Sequence, residues 1–153
     1  MQIVKSNVRE ISVSYNNKKL KGDSPRIKTV ADSHLFILDG FDRGIIGLQE
    51  QFVCMYLNRS NAILGVYRTS TGGITGTVAD IRLILSVALK IAATGLILAH
   101  NHPSGNLTPS GADLELTRKV NEAAKLMDIL LLDHLILDNT GQRYLSFAEE
   151  GLL

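Results

Sequence analysis

Two of the four histidines in the chain, His100 and His102, stand two residues apart where a run of apolar residues ends. Side chains at positions i and i+2 of a strand project from the same face, so both imidazoles could point at one spot. Pro103 and Gly105 follow and are expected to end the strand, because Pro has no backbone N–H and Gly accepts unusual backbone angles. The pair alone is a weak indication of a metal site, since histidines are common at strand ends.

A serine and an aspartate follow at a spacing that strengthens the metal interpretation. After the loop formed by residues 103–109, Ser110 and Asp113 are expected at the start of a helix, where its positive end favours a carboxylate. Taken alone, S-x-x-D would be a capping arrangement without chemistry. Together with the two imidazoles it provides two nitrogens and one oxygen. That ligand set leaves a fourth tetrahedral position open, as in catalytic zinc sites.

Strands and helices are predicted to alternate through the second half of the chain. Apolar residues at helical spacing predict helices over residues 29–41, 78–94 and 110–128, the first ended by Gly40, the second by Gly95, and the third capped by Ser110. Apolar and β-rich runs predict strands over residues 9–16, 50–58, 62–68, 96–100, 129–137 and 143–147, of which the second and third form a hairpin. We therefore expect a single-domain α/β sandwich, a mixed sheet with helices on its faces.

The overall composition predicts a soluble protein of the cytoplasm. A chain of 153 residues has the size of one domain, and its 45% hydrophobic and 20% charged residues are ordinary values. The net charge is +1 with both signs interspersed, which does not favour a surface for nucleic acid. From the sequence we expect no membrane span and no signal peptide, and Cys54 as the single cysteine fits a reducing compartment.

The pattern H-x-H-P followed by S-x-x-D resembles the JAMM signature of the JAB/MPN metallopeptidase superfamily. The stretch "AHNHPSGNLTPSGAD", residues 99–113, together with "DHLIL", residues 133–137, is most similar to the RadC-like branch. This resemblance runs from about Leu48 to the C-terminus. It implies a JAB/MPN fold, similar in layout to cytidine deaminase, over residues 48–153. We expect residues 1–47 to add an N-terminal strand and helix to the same globule.

The resemblance also implies a site and an activity. Zn²⁺ would be held by His100, His102 and Asp113, with Ser110 as the motif serine, and a peptide or isopeptide bond would be hydrolysed by zinc-activated water. The family further requires an upstream glutamate. We choose Glu50, ahead of these other candidates: Glu10, Glu115, Glu122, Glu149 and Glu150. Glu50 would act as the general base, and Ser110 would help to stabilise the oxyanion.

Two further features have a less specific interpretation. His134, within "DHLIL", is either a structural residue of its strand or a partner of a metal ligand. The Gly/Thr loop over residues 70–77 is expected to flank the substrate groove.

Two other functions are compatible with the sequence. One is a RadC-like accessory protein of DNA processing, although residues 1–47 are too short for the helix-hairpin-helix region of full-length RadC-like proteins. The other is a non-catalytic interaction module that keeps zinc for stability. The expected partner is a peptide or protein substrate; nucleic acid is a possible partner that the charge does not support, and no membrane is expected. Ubiquitin is a poor candidate, because no long insertion lies between Glu50 and His100.

Overall fold

The computed structural model describes residues 23–73 and 76–153, which form one five-stranded mixed sheet with helices on its faces. The strands lie in the order β2-β1-β3-β4-β5. In chain order the elements are α1 (Val30–Ile37), a 3-10 turn (Leu38–Gly40), β1 (Gln51–Leu57), β2 (Ile63–Thr71), α2 (Ile81–Lys90), β3 (Gly95–Asn101), α3 (Gly111–Leu126), β4 (Leu130–Leu137) and β5 (Tyr144–Ser146).

The centre of the sheet is formed by β1 and β3, and every residue of both strands is buried. β1 pairs antiparallel with β2 on one side and with β3 on the other. β3 pairs parallel with β4, which requires a crossover, and α3 provides it. Because both faces of these central strands are covered, their sequences are almost continuously apolar instead of alternating with polar residues.

Side chains of β1 alternate between two apolar clusters on opposite faces of the sheet. Phe52 and Cys54 belong to the cluster that includes residues of α2 and α3. Val53 and Met55 belong to the cluster on the other face, which includes Ile37 of α1. The helices therefore cover both faces, and Cys54 is a small buried core residue.

The antiparallel pairing of β1 with β3 brings separate parts of the chain together at one end of the sheet. Phe52, near the start of β1, pairs with His100, near the end of β3. Glu50, which immediately precedes β1, is thereby brought to the end of β3. The loop after β3 leads directly into α3, so the start of that helix is near the same place.

The predicted α/β sandwich is confirmed, although element boundaries differ. The strand predicted over residues 62–68 continues to Thr71, into the predicted Gly/Thr loop. The helix predicted over residues 78–94 forms only over Ile81–Lys90. Ala92 adopts the left-handed conformation with φ 54° and ends the helical path before Gly95, which instead opens β3. The strand predicted over residues 9–16 lies outside the described residues. Within the described part of the chain, every helix is too short or too polar to cross a membrane.

Candidate metal centre

His100 and His102 lie at the carboxyl end of β3 and point at one spot. His100 is buried and stacks on Phe52 of β1, with the ring centroids 5.9 Å apart. His102 follows the strand. Its main-chain N–H donates to the main-chain oxygen of Leu137 in β4 at 2.9 Å, which extends the pairing of β3 with β4 by one residue. The Nε2 atoms of the two imidazoles are 3.0 Å apart.

Asp113 is brought to the two imidazoles by the first turn of α3. Ser110 is the N-cap of this helix, and its hydroxyl oxygen accepts a hydrogen bond from the Asp113 N–H at 3.1 Å. In return, Oδ2 of Asp113 accepts from the Ser110 N–H at 2.7 Å, which completes a capping box. The carboxylate also lies 3.2 Å from Nε2 of His100 through Oδ1, and 3.4 Å from Nε2 of His102 through Oδ2.

Electrostatic attraction holds the carboxyl group of Asp113 in its ionised form. Burial raises its pKa, but the hydrogen bonds from His100 and His102 outweigh burial and place the pKa well below the ordinary carboxyl range. The contact with Asp113 in turn raises the pKa of His102, although burial opposes this. The centre therefore attracts positive charge, and a metal ion would replace imidazole protons there.

The spacing of the three groups fits a tetrahedral zinc ion. Bonds of about 2.0–2.1 Å to nitrogen and oxygen ligands separate neighbouring ligand atoms by about 3.3 Å in a tetrahedron. The Nε2 atoms of His100 and His102 are 3.0 Å apart, and the carboxylate of Asp113 lies 3.2 Å from the first through Oδ1 and 3.4 Å from the second through Oδ2. One ligand atom from each residue lies within 4.8 Å of the others, which is compatible with such a site. Over residues 23–73 and 76–153, this is the one group of three or more His, Cys, Asp or Glu with the geometry to hold a metal ion. Three protein ligands leave a fourth position open, as in catalytic zinc sites.

The second ring nitrogen of His102 is held by the loop that follows. Its Nδ1 is 2.6 Å from the main-chain oxygen of Asn106, an atom that can only accept, so Nδ1 carries a proton. Gly105, with φ +80°, provides the left-handed turn that brings Asn106 back towards the imidazole. In neutral His102 the free lone pair is therefore on Nε2, the atom nearest to Asp113.

His134 of β4 lies directly behind His100. Its Nε2 is 2.8 Å from Nδ1 of His100, and its Nδ1 is 2.6 Å from the hydroxyl oxygen of Thr117 in α3. Burial, and secondly the charge of His100, hold the pKa of His134 well below its ordinary value, so this imidazole is neutral. Of the two interpretations of His134, these contacts favour a partner of a metal ligand.

Glu50 lines an open cleft beside the three metal-binding groups. The cleft has a volume of about 430 Å³, and its walls include Thr77 as well as His102, Ser110 and Asp113. Burial raises the pKa of Glu50, and the negative charge of Asp113 adds to this effect, whereas the two imidazoles oppose it. A carboxyl group with a raised pKa beside a metal site is suited to accepting and releasing a proton. Because Thr77 lines this cleft, the Gly/Thr loop contributes to its wall.

The four other candidate glutamates that the structure describes do not line this cleft. Glu115 and Glu122 form ion pairs with Arg118 on the exposed surface of α3. Residues 149–150 are exposed near the C-terminus. Glu10 lies outside the described residues.

The sequence reasoning missed Asn101, the residue between the two histidines. It is fully buried on the opposite face of β3, and its Oδ1 accepts from the Gln51 N–H at 2.7 Å. Its amide nitrogen donates to the main-chain oxygens of Ile46 at 2.6 Å and Gln49 at 3.0 Å. These bonds fix the backbone on both sides of Glu50. The available signal was an amide side chain inside an otherwise apolar strand, because a buried amide needs specific partners.

The fold and these side chains define a class of protein: an α/β domain in which two histidines from a strand end and an aspartate from the next helix could hold one metal ion beside an open cleft. A family model described as "RadC-like JAB domain" matches residues 30–152, and the chain belongs to this family. The match includes α1, whereas the domain boundary at residue 48 stays a prediction.

Curated relatives in the comparison carry the name UPF0758 protein. The protein of Flavobacterium johnsoniae is 47% identical over 103 residues, which are 67% of this chain and 44% of that protein. The protein of Porphyromonas gingivalis is 47% identical over 105 residues, 69% of this chain and 46% of the relative. The protein of Aquifex aeolicus is 37% identical over 139 residues, which are 90% of this chain and 58% of that protein. The chain thus spans about half the length of the curated relatives it matches.

Proposed function

We propose that the protein is a zinc-dependent hydrolase of the JAMM type that cleaves a peptide or isopeptide bond. The observation that carries this proposal is the shared cleft, in which Glu50 lies with His102, Asp113 and Ser110. A metal site alone would serve a structural role equally well. The carboxyl group of Glu50, with its pKa raised by burial, adds a means of proton transfer.

Each side chain has a separate task in this proposal. His100, His102 and Asp113 hold Zn²⁺, which when bound lowers the pKa of its water to about 7 and polarises a carbonyl oxygen. Glu50 accepts a proton in the cleft and later delivers it to the leaving amine. The Ser110 hydroxyl already accepts from the Asp113 N–H, so its own proton is free to donate to an oxygen that becomes negative.

The polar groups of the cleft suit a peptide main chain as the substrate. Glu50, Thr77, Ser104 and Ser110 line it, and they offer acceptors and hydroxyl donors to peptide N–H and carbonyl groups. We place the reaction in the reducing cytoplasm, because Cys54 is the single cysteine of the chain and is buried.

Exchange of Glu50 for Gln tests the proposed chemistry directly. The zinc-loaded protein is incubated with peptides from a digested proteome and with a branched isopeptide, and new termini are counted by mass spectrometry. We expect Glu50→Gln to lower cleavage about 10²–10⁴-fold, because the general base is lost, while the zinc content stays unchanged. The exposed Glu149→Gln provides the matched control and should keep both properties. Equal cleavage by Glu50→Gln, or no cleavage by the wild type, would contradict the proposal.

Removal of the metal separates a hydrolase from a zinc-stabilised interaction module. The two apolar clusters pack the sheet against its helices without any side chain from the metal centre. We therefore expect chelation to abolish hydrolysis and leave the protein folded, as measured by circular dichroism. Unfolding on chelation would instead favour the non-catalytic module. An accessory role in DNA processing predicts DNA binding with a steep dependence on salt concentration.

A further inference from the structure

A buried series of hydrogen bonds connects α3 with His100. The hydroxyl oxygen of Thr117 lies 2.7 Å from the main-chain oxygen of Asp113 and 2.6 Å from Nδ1 of His134. Nε2 of His134 then lies 2.8 Å from Nδ1 of His100. Thr117 is 3% exposed and His100 and His134 still less, so solvent does not compete for these positions.

The direction of these hydrogen bonds follows from the main-chain oxygen of Asp113. This oxygen can only accept, so at 2.7 Å the Thr117 hydroxyl donates to it; two oxygens this close without a proton between them would repel. Thr117 has one hydroxyl proton, so its oxygen accepts from His134, whose Nδ1 carries a proton. His134 is 0% exposed, and a fully buried imidazole without an acidic partner favours its neutral form. The lone pair of His134 is then on Nε2, and Nδ1 of His100 is the donor to it.

We propose that Thr117 is a positioning residue of the metal centre, which acts through His134 to keep the proton of His100 on Nδ1 and leave Nε2 free to bind a metal ion. This role rests on the zinc centre of the proposed function, but it does not require hydrolysis. A buried imidazole that carried its proton on Nε2 would present an N–H to the metal position. In the metal-free protein the Nε2 atoms face Asp113 and can each carry an additional proton; when a metal takes the place of that proton, the main-chain oxygen of Asn106 keeps the remaining proton of His102 on Nδ1 directly. His100 is held in the same way by a relay of two side chains.

The relay also connects two of the three metal-binding groups. Thr117 follows Asp113 by one helical turn, and its hydroxyl bonds to the main-chain oxygen of that residue. One hydroxyl therefore contacts the backbone of the aspartate and, through His134, sets the proton of His100. A change at Thr117 should alter metal binding although this side chain does not reach the ligand atoms.

Exchange of Thr117 for Val and for Ser tests this role in the metal-free protein. Valine keeps the shape and removes the hydroxyl, whereas serine keeps the hydroxyl. The protonated ring nitrogen of His134 is identified by ¹⁵N NMR of the histidine side chains. We expect the proton on Nδ1 in the wild type and in Thr117→Ser, and on Nε2 in Thr117→Val. A wild-type His134 that is protonated on Nε2 would overturn the proposal, whether or not the valine variant folds.

Zinc affinity, measured by competition with a chromophoric chelator, provides the second readout. We expect Thr117→Val to bind zinc about 10–100-fold more weakly, the usual effect of losing an outer partner of a metal ligand, and Thr117→Ser to resemble the wild type. Ser33→Ala is the matched control, because Ser33 is also buried and its hydroxyl also bonds to a main-chain oxygen four residues earlier, but in α1. Wild-type affinity in folded Thr117→Val would overturn the proposal. Failure of the hydrolase proposal would instead appear as absent cleavage with zinc bound.

Discussion

Two helices of this protein begin with the same local arrangement in different surroundings. α1 begins with Thr29 as N-cap and Asp32 at the third helical position, and α3 begins with Ser110 and Asp113 in the same positions. In both helices the cap hydroxyl accepts from the aspartate N–H at 3.1 Å. In both, the carboxylate accepts from the cap residue's N–H, at 2.9 Å in α1 and 2.7 Å in α3. The capping box therefore specifies a helix start and no more.

The surroundings of the two carboxylates account for their different roles. Asp32 is at the surface and takes a further hydrogen bond from the Lys28 N–H at 2.9 Å. Asp113 instead contacts His100 and His102, because the parallel crossover from β3 to β4 places the start of α3 beside the end of β3. The capping box holds the carboxylate of Asp113 in one orientation before a metal arrives. A helix cap that follows a strand end closely can thus become a preorganised ligand.

Exchange of each aspartate for asparagine tests most directly whether the two helix starts differ in metal binding. We expect Asp113→Asn to weaken zinc binding more than about 100-fold, because loss of a ligand should exceed the 10–100-fold cost of losing an outer partner. Asp32→Asn has the same change in the same local structure and should bind zinc like the wild type. Chelator competition and metal analysis of both purified variants provide the measurement. Equal affinity in the two variants would show that Asp113 is a capping residue only.

Exchange of the two cap residues for alanine separates capping from chemistry. Thr29→Ala and Ser110→Ala should each lower the free energy of unfolding by about 1 kcal/mol, since each removes one side-chain acceptor from a helix start. Urea unfolding of the metal-free variants measures this. Ser110→Ala alone should also lower peptide cleavage, by about 10²–10³-fold, if its hydroxyl stabilises the oxyanion. Undiminished cleavage in Ser110→Ala would leave that residue with its capping role.

The fold was largely predictable from local pattern, because buried strands and helix stripes are visible along the chain. The N-cap at Ser110 followed from S-x-x-D before an apolar stripe, and the same-face projection of His100 and His102 followed from strand geometry. Local pattern failed to predict the end of α2. The left-handed residue after this helix is Ala92, although Gly95 follows three residues later. Glycine adopts this conformation at less cost than alanine, so the local pattern pointed to Gly95.

The residues that position the metal ligands were harder to predict than the ligands themselves. Asn101 and Thr117 were not recognised, and the sequence left His134 with two interpretations. Each of these residues acts through a partner that is distant in the chain, such as the bond of Asn101 to Gln51, 50 residues away. Which distant residues meet depends on strand order and register, and the local pattern of a single sequence does not reveal these.

The smallest expected effect is a difference in how the two helix starts respond to acid. In the metal-free protein the pKa of Asp32 is lowered by main-chain N–H donors, and the pKa of Asp113 is lowered further because the imidazole hydrogen bonds outweigh its burial. A carboxyl group whose pKa is lower in the folded state stabilises the fold above its unfolded value of about 3.9, and this contribution is lost as pH falls through the folded value.

Urea unfolding at pH values from 7 down to 3 should therefore distinguish Asp32→Asn from Asp113→Asn without any metal. Each variant should be less stable than the wild type at pH 7, since each lacks an ionised carboxylate that its helix start favours. As the pH falls below the unfolded value of about 3.9, the deficit of Asp32→Asn should fade first, because the pKa of Asp32 is lowered less in the folded protein than the pKa of Asp113. The deficit of Asp113→Asn should persist to lower pH, because the facing imidazoles keep Asp113 ionised. If both deficits fade at the same pH, the imidazoles do not keep Asp113 ionised, and the two helix starts differ only in position.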